Sequence, residues 1–141
     1  TIMKQLEAMQ KNGKKVLGGT NADFFNTTTY IPYGVCYRDG VAVKTSFSRT
    51  DCNVFVITKD NEACCFTEEE YALHKDIVRE AVCGRSTLLL KNGDALNLDG
   101  GGSSTFIARD GAEGELKLLN WPTDQGGVMR KVATGLAIVE Q

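Results

Sequence analysis

Two short stretches carry residue types that can act on a substrate. Residues 95–105 read Ala-Leu-Asn-Leu-Asp-Gly-Gly-Gly-Ser-Ser-Thr. Leu96 and Leu98 alternate with Asn97 and Asp99, so a strand here puts two leucines on one face and two polar groups on the other. Gly100, Gly101 and Gly102 follow, then the hydroxyls of Ser103 and Ser104. Glycine lets another molecule come close to the main chain. Successive backbone N–H groups in such a turn can form an anion-binding nest. A carboxylate and a row of donors therefore sit together at a strand end. The plain alternative is a glycine-rich hairpin loop with a turn-forming aspartate. Residues 18–25, Gly-Gly-Thr-Asn-Ala-Asp-Phe-Phe, resemble this arrangement: glycines, then Asn21 and Asp23 two residues apart, then Phe24 and Phe25.

The rest of the chain must position these groups. Residues 1–11 form an amphipathic helix pattern with Ile2, Leu6 and Met9 on one stripe. Asn12-Gly13 stops it, with Gly13 as the left-handed cap. A short strand follows at 15–19. Strands at 35–37 and 41–44 make a hairpin around Asp39-Gly40. A strand at 54–58 turns into a partner at 63–66. Thr67 and Glu70 form a capping box, which opens a helix predicted over 68–82. Tyr71, Ile77, Val78 and Val82 are its candidates for burial, and His74 lies at its surface. Strands are predicted at 87–90, 95–99, 105–108, 116–119 and 134–139, with turns at 91–93 and 109–111 and a loop at 121–127. Short strands, hairpin turns and two helices indicate an α+β class, a mixed and largely antiparallel sheet with a few packed helices.

The 141 residues suffice for a single domain with a core. Lys plus Arg number 16 against 18 Asp plus Glu, a net charge of -2. That balance leaves no footprint for nucleic acid or an anionic membrane surface. No run reaches the roughly 20 apolar residues of a membrane span. Thr1 is not preceded by a leader pattern, so a signal peptide is expected to be absent or already removed. The five cysteines, Cys36, Cys52, Cys64, Cys65 and Cys83, are odd in number and lack C-x-x-C spacing. With His74 as the single histidine they make a poor zinc set, and most of them are expected as small buried residues. P-loop, dinucleotide-fold and G-x-S-x-G signatures are absent. No cofactor or metal is expected.

The two stretches together resemble a known family. Asn21-Ala22-Asp23-Phe24-Phe25, with Pro32-Tyr33-Gly34-Val35 and the Asp39-Gly40 turn, resembles the first signature of the phosphodiester glycosidases. Residues 97–105, Asn-Leu-Asp-Gly-Gly-Gly-Ser-Ser-Thr, resemble the second, and residues 130–139 resemble the family's closing strand. The resemblance implies a hydrolase that cleaves a sugar-1-phosphodiester at the glycosidic bond, releasing sugar and a phosphate monoester. It implies Asp99 as the carboxylate facing the anomeric carbon. Asp23 is then a second carboxylate or an orienting group. Asn21 and Asn97 hold sugar hydroxyls. Gly100, Gly101, Gly102, Ser103 and Ser104 receive the phosphate, with Arg130 as its cation and Arg85 as a weaker choice. Phe24 or Phe25 faces a sugar ring while at least one of them is buried. All these groups are expected to line one concave site. The resemblance also implies an extracytoplasmic location, secreted, periplasmic or at the cell surface. The partner is a sugar phosphodiester or a cell-wall glycan, with no nucleic acid and no membrane span. The competing reading is a non-catalytic glycan-binding module.

One departure stands out. The family carries several dozen residues between the strand resembling 87–93 and the Asn-Leu-Asp-Gly-Gly-Gly strand. Here Gly93 runs straight into Asp94. The resemblance therefore implies a segment omitted near residues 93–94. Without one, the binding-module reading gains weight.

Overall fold

The computed structural model describes residues 1–90, 93–111, 113–123 and 126–140, and for 86–90 and 93–95 the backbone alone. Part of the turn predicted at 91–93 and part of the loop predicted at 121–127 lie outside the described residues. The chain divides into two compact units, Thr1–Asn21 with Asp99–Gln141 and Ala22–Leu98.

Unit 1 holds helix α1 (Ile2–Lys11) and strand β1 (Lys15–Asn21), then β8 (Phe106–Arg109), β9 (Leu116–Leu118) and β10 (Gly135–Glu140). The strands form a four-stranded sheet in the order β10-β1-β8-β9, every pairing antiparallel. Thr1 caps α1 by accepting the Lys4 N–H, and Gly13 leaves it at φ 82. Ile2 and Leu6 are buried as the stripe predicted. They reach the sheet because Gly19 has no side chain. A Cβ there would lie 2.9 Å from Leu6 Cδ2 and 2.7 Å from the Leu136 carbonyl oxygen. Gly18 is crowded in the same way, 2.5 Å from the Ile107 carbonyl oxygen. The glycines ahead of Asn21 therefore serve packing. β1 also runs two residues beyond its predicted end, because Thr20 and Asn21 continue the register with Leu136 and Gly135 of β10.

Unit 2 holds β2 (Cys36–Arg38), β3 (Val41–Lys44), β4 (Cys52–Thr58), β5 (Ala63–Phe66), α2 (Glu68–His74), β6 (Val78–Leu90) and β7 (Gly93–Asn97). Its six-stranded sheet runs β3-β2-β6-β4-β5, with β7 also paired to β6. The β2–β3 turn places Asp39 at φ 49 and Gly40 at φ 77, the left-handed pair that an Asp-Gly hairpin uses. Val35, Val54, Val56, Tyr71, Val78, Ala81 and Cys83 form the core, with Tyr37, Phe47 and Phe66 packed against it.

The helix predicted over 68–82 is corrected. The capping box is present, with Thr67 and Glu70 exchanging bonds, but α2 ends at His74. A 3-10 turn, Lys75–Ile77, leads into β6. Val78 and Val82 are buried as expected, 2% and 6% exposed, but on a strand. Long-range pairing decides this: Val54↔Cys83 and Val56↔Ala81 bind β6 to β4 along seven partner pairs. β-branched residues suit that environment better than a helix interior. β7 likewise stops at Asn97, so Leu98 and Asp99 follow the strand rather than complete it.

Cys36, Cys52 and Cys83 are buried, Cys64 and Cys65 are half-buried, and none of the five forms a disulfide. Burial, then the charge of Asp23, pushes the Cys36 thiol up to about 11 from 9.0. Burial raises Cys83 further, again with Asp23 second. The folded state thus favours neutral thiols. Their contribution is complete below the unfolded value near 9 and is lost as pH rises toward about 11. Stability against urea should therefore be flat in this respect up to pH 9 and fall above it. Alkylation of the native protein at neutral pH should mark Cys64 and Cys65 well before the other three. Equal labelling of all five without denaturant would refute the buried assignment.

Candidate functional site

The expected constellation divides between the units. Asn21, Asp99, the glycine loop and Arg130 belong to unit 1. Asp23, Phe24, Arg85 and Asn97 belong to unit 2.

In unit 1 the loop after Asp99 is tied at both ends. Asn21 closes β1 and is 4% exposed. Its side-chain Nδ2 donates to the Asp99 carbonyl oxygen, and its Oδ1 accepts the Thr105 N–H at 3.0 Å. One amide therefore spans residues 99–105. Asn120 is a second clasp. It donates to the Ser104 carbonyl oxygen at 2.8 Å and accepts the Phe106 N–H at 2.6 Å. Between the clasps, Gly101–Ser103 form one 3-10 turn with Gly102 and Ser103 buried. Ser103 N–H and Ser104 N–H donate to Gly100 O and Gly101 O, both at 3.1 Å.

That accounting narrows the anion-binding row. The N–H groups of Ser103, Ser104 and Thr105 are taken inside the protein. Among the described residues no acceptor meets those of Gly100, Gly101 and Gly102. Gly101 needs glycine for its φ of 56, but Gly100 is extended at φ -115. A Cβ on Gly100 would meet nothing within 4 Å. Nothing inside the chain demands glycine at 100, in contrast to Gly18 and Gly19. The half-buried Asp99 makes no side-chain hydrogen bond or ion pair among the described residues, and its main chain alone is held by Asn21. Arg130, half-buried, lies in the stretch before β10.

Asn21 is thus a positioning residue whose amide is occupied at both ends. Asn21→Ala would leave the Asp99 carbonyl and the Thr105 N–H without partners. A loss of about 2 kcal/mol is expected, the usual cost of orphaned buried groups, read as a shift in the urea midpoint. An unchanged midpoint would show that the loop holds itself.

In unit 2, β6 is flanked on one edge by β2, paired at Tyr37↔Ala81, and then by β7, paired from Arg85↔Asn97. Cys83 falls in the gap between these partners. Its N–H donates to Asp23 Oδ1, so a side chain takes the place of a strand. Asp23 is 1% exposed. Gly34 closes the same gap, where a Cβ would lie 2.2 Å from Cys83 Sγ. A crevice beside it is lined by Phe24, Tyr33, Gly34, Cys52, Cys83, Gly84 and Arg85. The Arg85 guanidinium lies over Phe24, 5.6 Å from the ring centroid, so a cation covers that face of the ring. Arg85 Nε and Nη2 both donate to Asp51 Oδ2, at 2.8 and 2.5 Å. The hydrogen bond from Arg85 holds the Asp51 carboxyl below its usual range. Phe25 is buried at 6% exposure and stacks on Tyr30. Asn97 is exposed, opposite Arg85 in the register.

Residue types had not pointed to Asn120 or Asp51 as parts of these arrangements, and Tyr33 and Gly34 entered only as part of the first signature. Lone asparagines and loop charges carry no spacing signal. The crowding at Gly34 comes from a partner 49 positions away in sequence, Cys83.

Residues 92–139 match the family model of the phosphodiester glycosidases. This stretch, about a third of the chain, carries the Asp99 loop, β8, β9, all but the last residue of β10, and Arg130. Over it the chain is phosphodiester glycosidase-like. The first signature, residues 21–40, lies outside the match. No curated protein matches the chain. Among the described residues no helix is long and apolar enough to cross a membrane.

Proposed function

We propose that the protein hydrolyses the glycosidic bond of a sugar-1-phosphodiester, releasing the sugar and a phosphate monoester. The observation that carries this reading is the open glycine loop beside the Asp99 carboxylate, which has no side-chain partner among the described residues, within the stretch that matches the family. A phosphate leaving group is already a weak base, so strong protonation of it matters less than in ordinary glycosides. What the reaction needs is charge to stabilise an oxocarbenium-like sugar and donors for the phosphate. Asp99 supplies the first. The N–H groups of Gly100, Gly101 and Gly102 and the Ser104 hydroxyl supply the second. Asn21 acts through the loop it holds. Arg130 is the family-like cation for the phosphate.

The burial of Asp23 supports a second reading. Glycoside hydrolysis ordinarily uses two carboxyl groups, and a carboxylate committed to Cys83 leaves only Asp99 from the expected pair. A glycan-binding module without turnover fits that count. Hydrolysis of a chromogenic sugar phosphodiester by the pure protein separates the two. Products formed in oxygen-labelled water then locate the cut. Label in the sugar supports cleavage at the anomeric carbon, and label in the phosphate overturns it. No release of chromophore leaves the binding module as the reading.

A further inference from the structure

Unit 1 contains two aromatic residues, Phe106 and Trp121. Trp121 is the single tryptophan of the chain and, at 75% exposure, the most exposed aromatic among the described residues. It is exposed without being loose. Asn120 before it is fixed to Ser104 and Phe106, and Pro122 after it is fully buried. The ring itself rests on Gly127. A Cβ there would lie 2.7 Å from Cε2, 2.8 Å from Cζ2 and 2.9 Å from Cδ2 of the indole. Cε2 is a fusion atom whose three bonds all lie in the ring plane, so an approach this close comes onto the face of the ring. Gly127 also takes a φ of 92, open to glycine and rarely to other residues. Its missing side chain makes room for a flat ring. One face of the indole lies on main chain, and the other is left to solvent.

The place of that open face in the fold suggests its use. Asn120 clasps the end of the loop whose Gly100, Gly101 and Gly102 N–H groups meet no acceptor among the described residues. Trp121 follows Asn120 directly, with its Cα about 3.8 Å further on. The donors proposed for the phosphate and a rigid aromatic face thus stand on one unit, tied through one amide. The ring contacts expected from sequence are occupied or lie elsewhere. The Asn21 amide is taken at both ends. Phe24 and Phe25 belong to unit 2, where Phe25 is buried against Tyr30 and Arg85 lies over Phe24.

We propose that Trp121 is the platform on which the sugar ring of the substrate stacks, beside the loop that takes its phosphate. This rests on the reading of a sugar phosphodiester as substrate. A pyranose presents C–H groups on its faces and hydroxyls around its rim. The negative face of an indole attracts those C–H groups, and the rim stays in water. A ring already held by Gly127 and by its two anchored neighbours loses little freedom when a ligand covers it. Trp121 is therefore a positioning residue. It touches the sugar and takes no part in breaking the bond.

Because Trp121 is the single tryptophan, its fluorescence reports on this face alone. The test titrates the whole chain with glucose, galactose, mannose and N-acetylglucosamine 1-phosphates, and with glycerol 1-phosphate as a phosphate monoester without a ring. At least one hexose 1-phosphate should move the emission to shorter wavelength and shield the indole from acrylamide, and glycerol 1-phosphate should do neither. Trp121→Ala should weaken binding of that hexose 1-phosphate about tenfold by calorimetry, the upper end of what an aromatic contact adds. Trp121→Phe should restore most of it, and Tm is read for both variants. Shielding by none of the four sugars overturns the proposal, as does equal shielding by glycerol 1-phosphate or unchanged affinity in Trp121→Ala. A shift that grows with protein concentration without ligand also overturns it, since the ring then meets a second copy of the chain. Hexose-dependent shielding without hydrolysis of any sugar phosphodiester overturns the proposed reaction and leaves the platform standing. Hydrolysis by Trp121→Ala with wild-type KM and kcat does the reverse.

Discussion

Asp99→Asn is expected to leave the fold intact and to lower turnover of a sugar phosphodiester by about 10²-fold or more, the low end of what a positioned acid–base group supplies. The amide is nearly the same size as the carboxylate. It carries no negative charge, so it can neither stabilise a cationic sugar nor act as nucleophile or base. A structural role would predict a different outcome. If the Asp99 side chain capped the glycine turn, its replacement would cost about 1 kcal/mol of stability with the rate of the folded fraction preserved. The geometry argues against capping. Asn21 holds the Asp99 carbonyl, Thr105 N–H goes to Asn21, and Ser103 and Ser104 bond back to Gly100 and Gly101. None of these bonds uses the Asp99 carboxylate. The melting midpoint and the rate on a chromogenic sugar phosphodiester should be measured on one preparation. An unchanged rate with a lowered midpoint would sink the catalytic assignment.

The elements that sequence made legible are those governed by local rules. α1 was readable because its stripe and its stop at Gly13 lie within 13 residues. The Asp39-Gly40 hairpin and the Thr67 capping box are local in the same sense. β6 was not legible, because Val78 and Val82 fit helical spacing after Tyr71 and only pairing with β4 distinguishes the alternatives. The candidate site divides along the same line. Asp99 and its glycines announce themselves by type and spacing. The roles of Asn21 and Asp23 do not, since both are set by partners far along the chain, Asp99 and Thr105 for one and Cys83 for the other. Asn21, expected to hold sugar hydroxyls, and Asp23, expected as a second carboxylate or an orienting group, both hold main chain. The glycines divide too: Gly19 is required by Leu6, whereas Gly100 has open space around it.

Gly34→Ala is expected to destabilise the protein by about 3 kcal/mol, the upper range for forced overpacking. The new Cβ would lie 2.2 Å from Cys83 Sγ and 2.3 Å from Cys83 Cβ. Neither neighbour has room to withdraw. Cys83 is 2% exposed, on the central strand β6, with Val54 beside it across the sheet and its N–H on Asp23. The substitution therefore strains the gap that Asp23 fills, between the β2 and β7 partners of β6 on that edge. Trimming the sulfur alone should help little, because Cys83 Cβ is almost as close, so Gly34→Ala with Cys83→Ala should remain well below wild type. Gly34→Ala with Cys83→Gly removes both contacts. Although glycine in a strand costs about 1 kcal/mol of its own, this pair should be more stable than the sum of its single changes predicts, by 1 kcal/mol or so of coupling. Urea midpoints for the four proteins decide the matter. A Gly34→Ala midpoint equal to that of wild type, or strict additivity with Cys83→Gly, would show that the loop carrying Gly34 can move away from β6 at no cost.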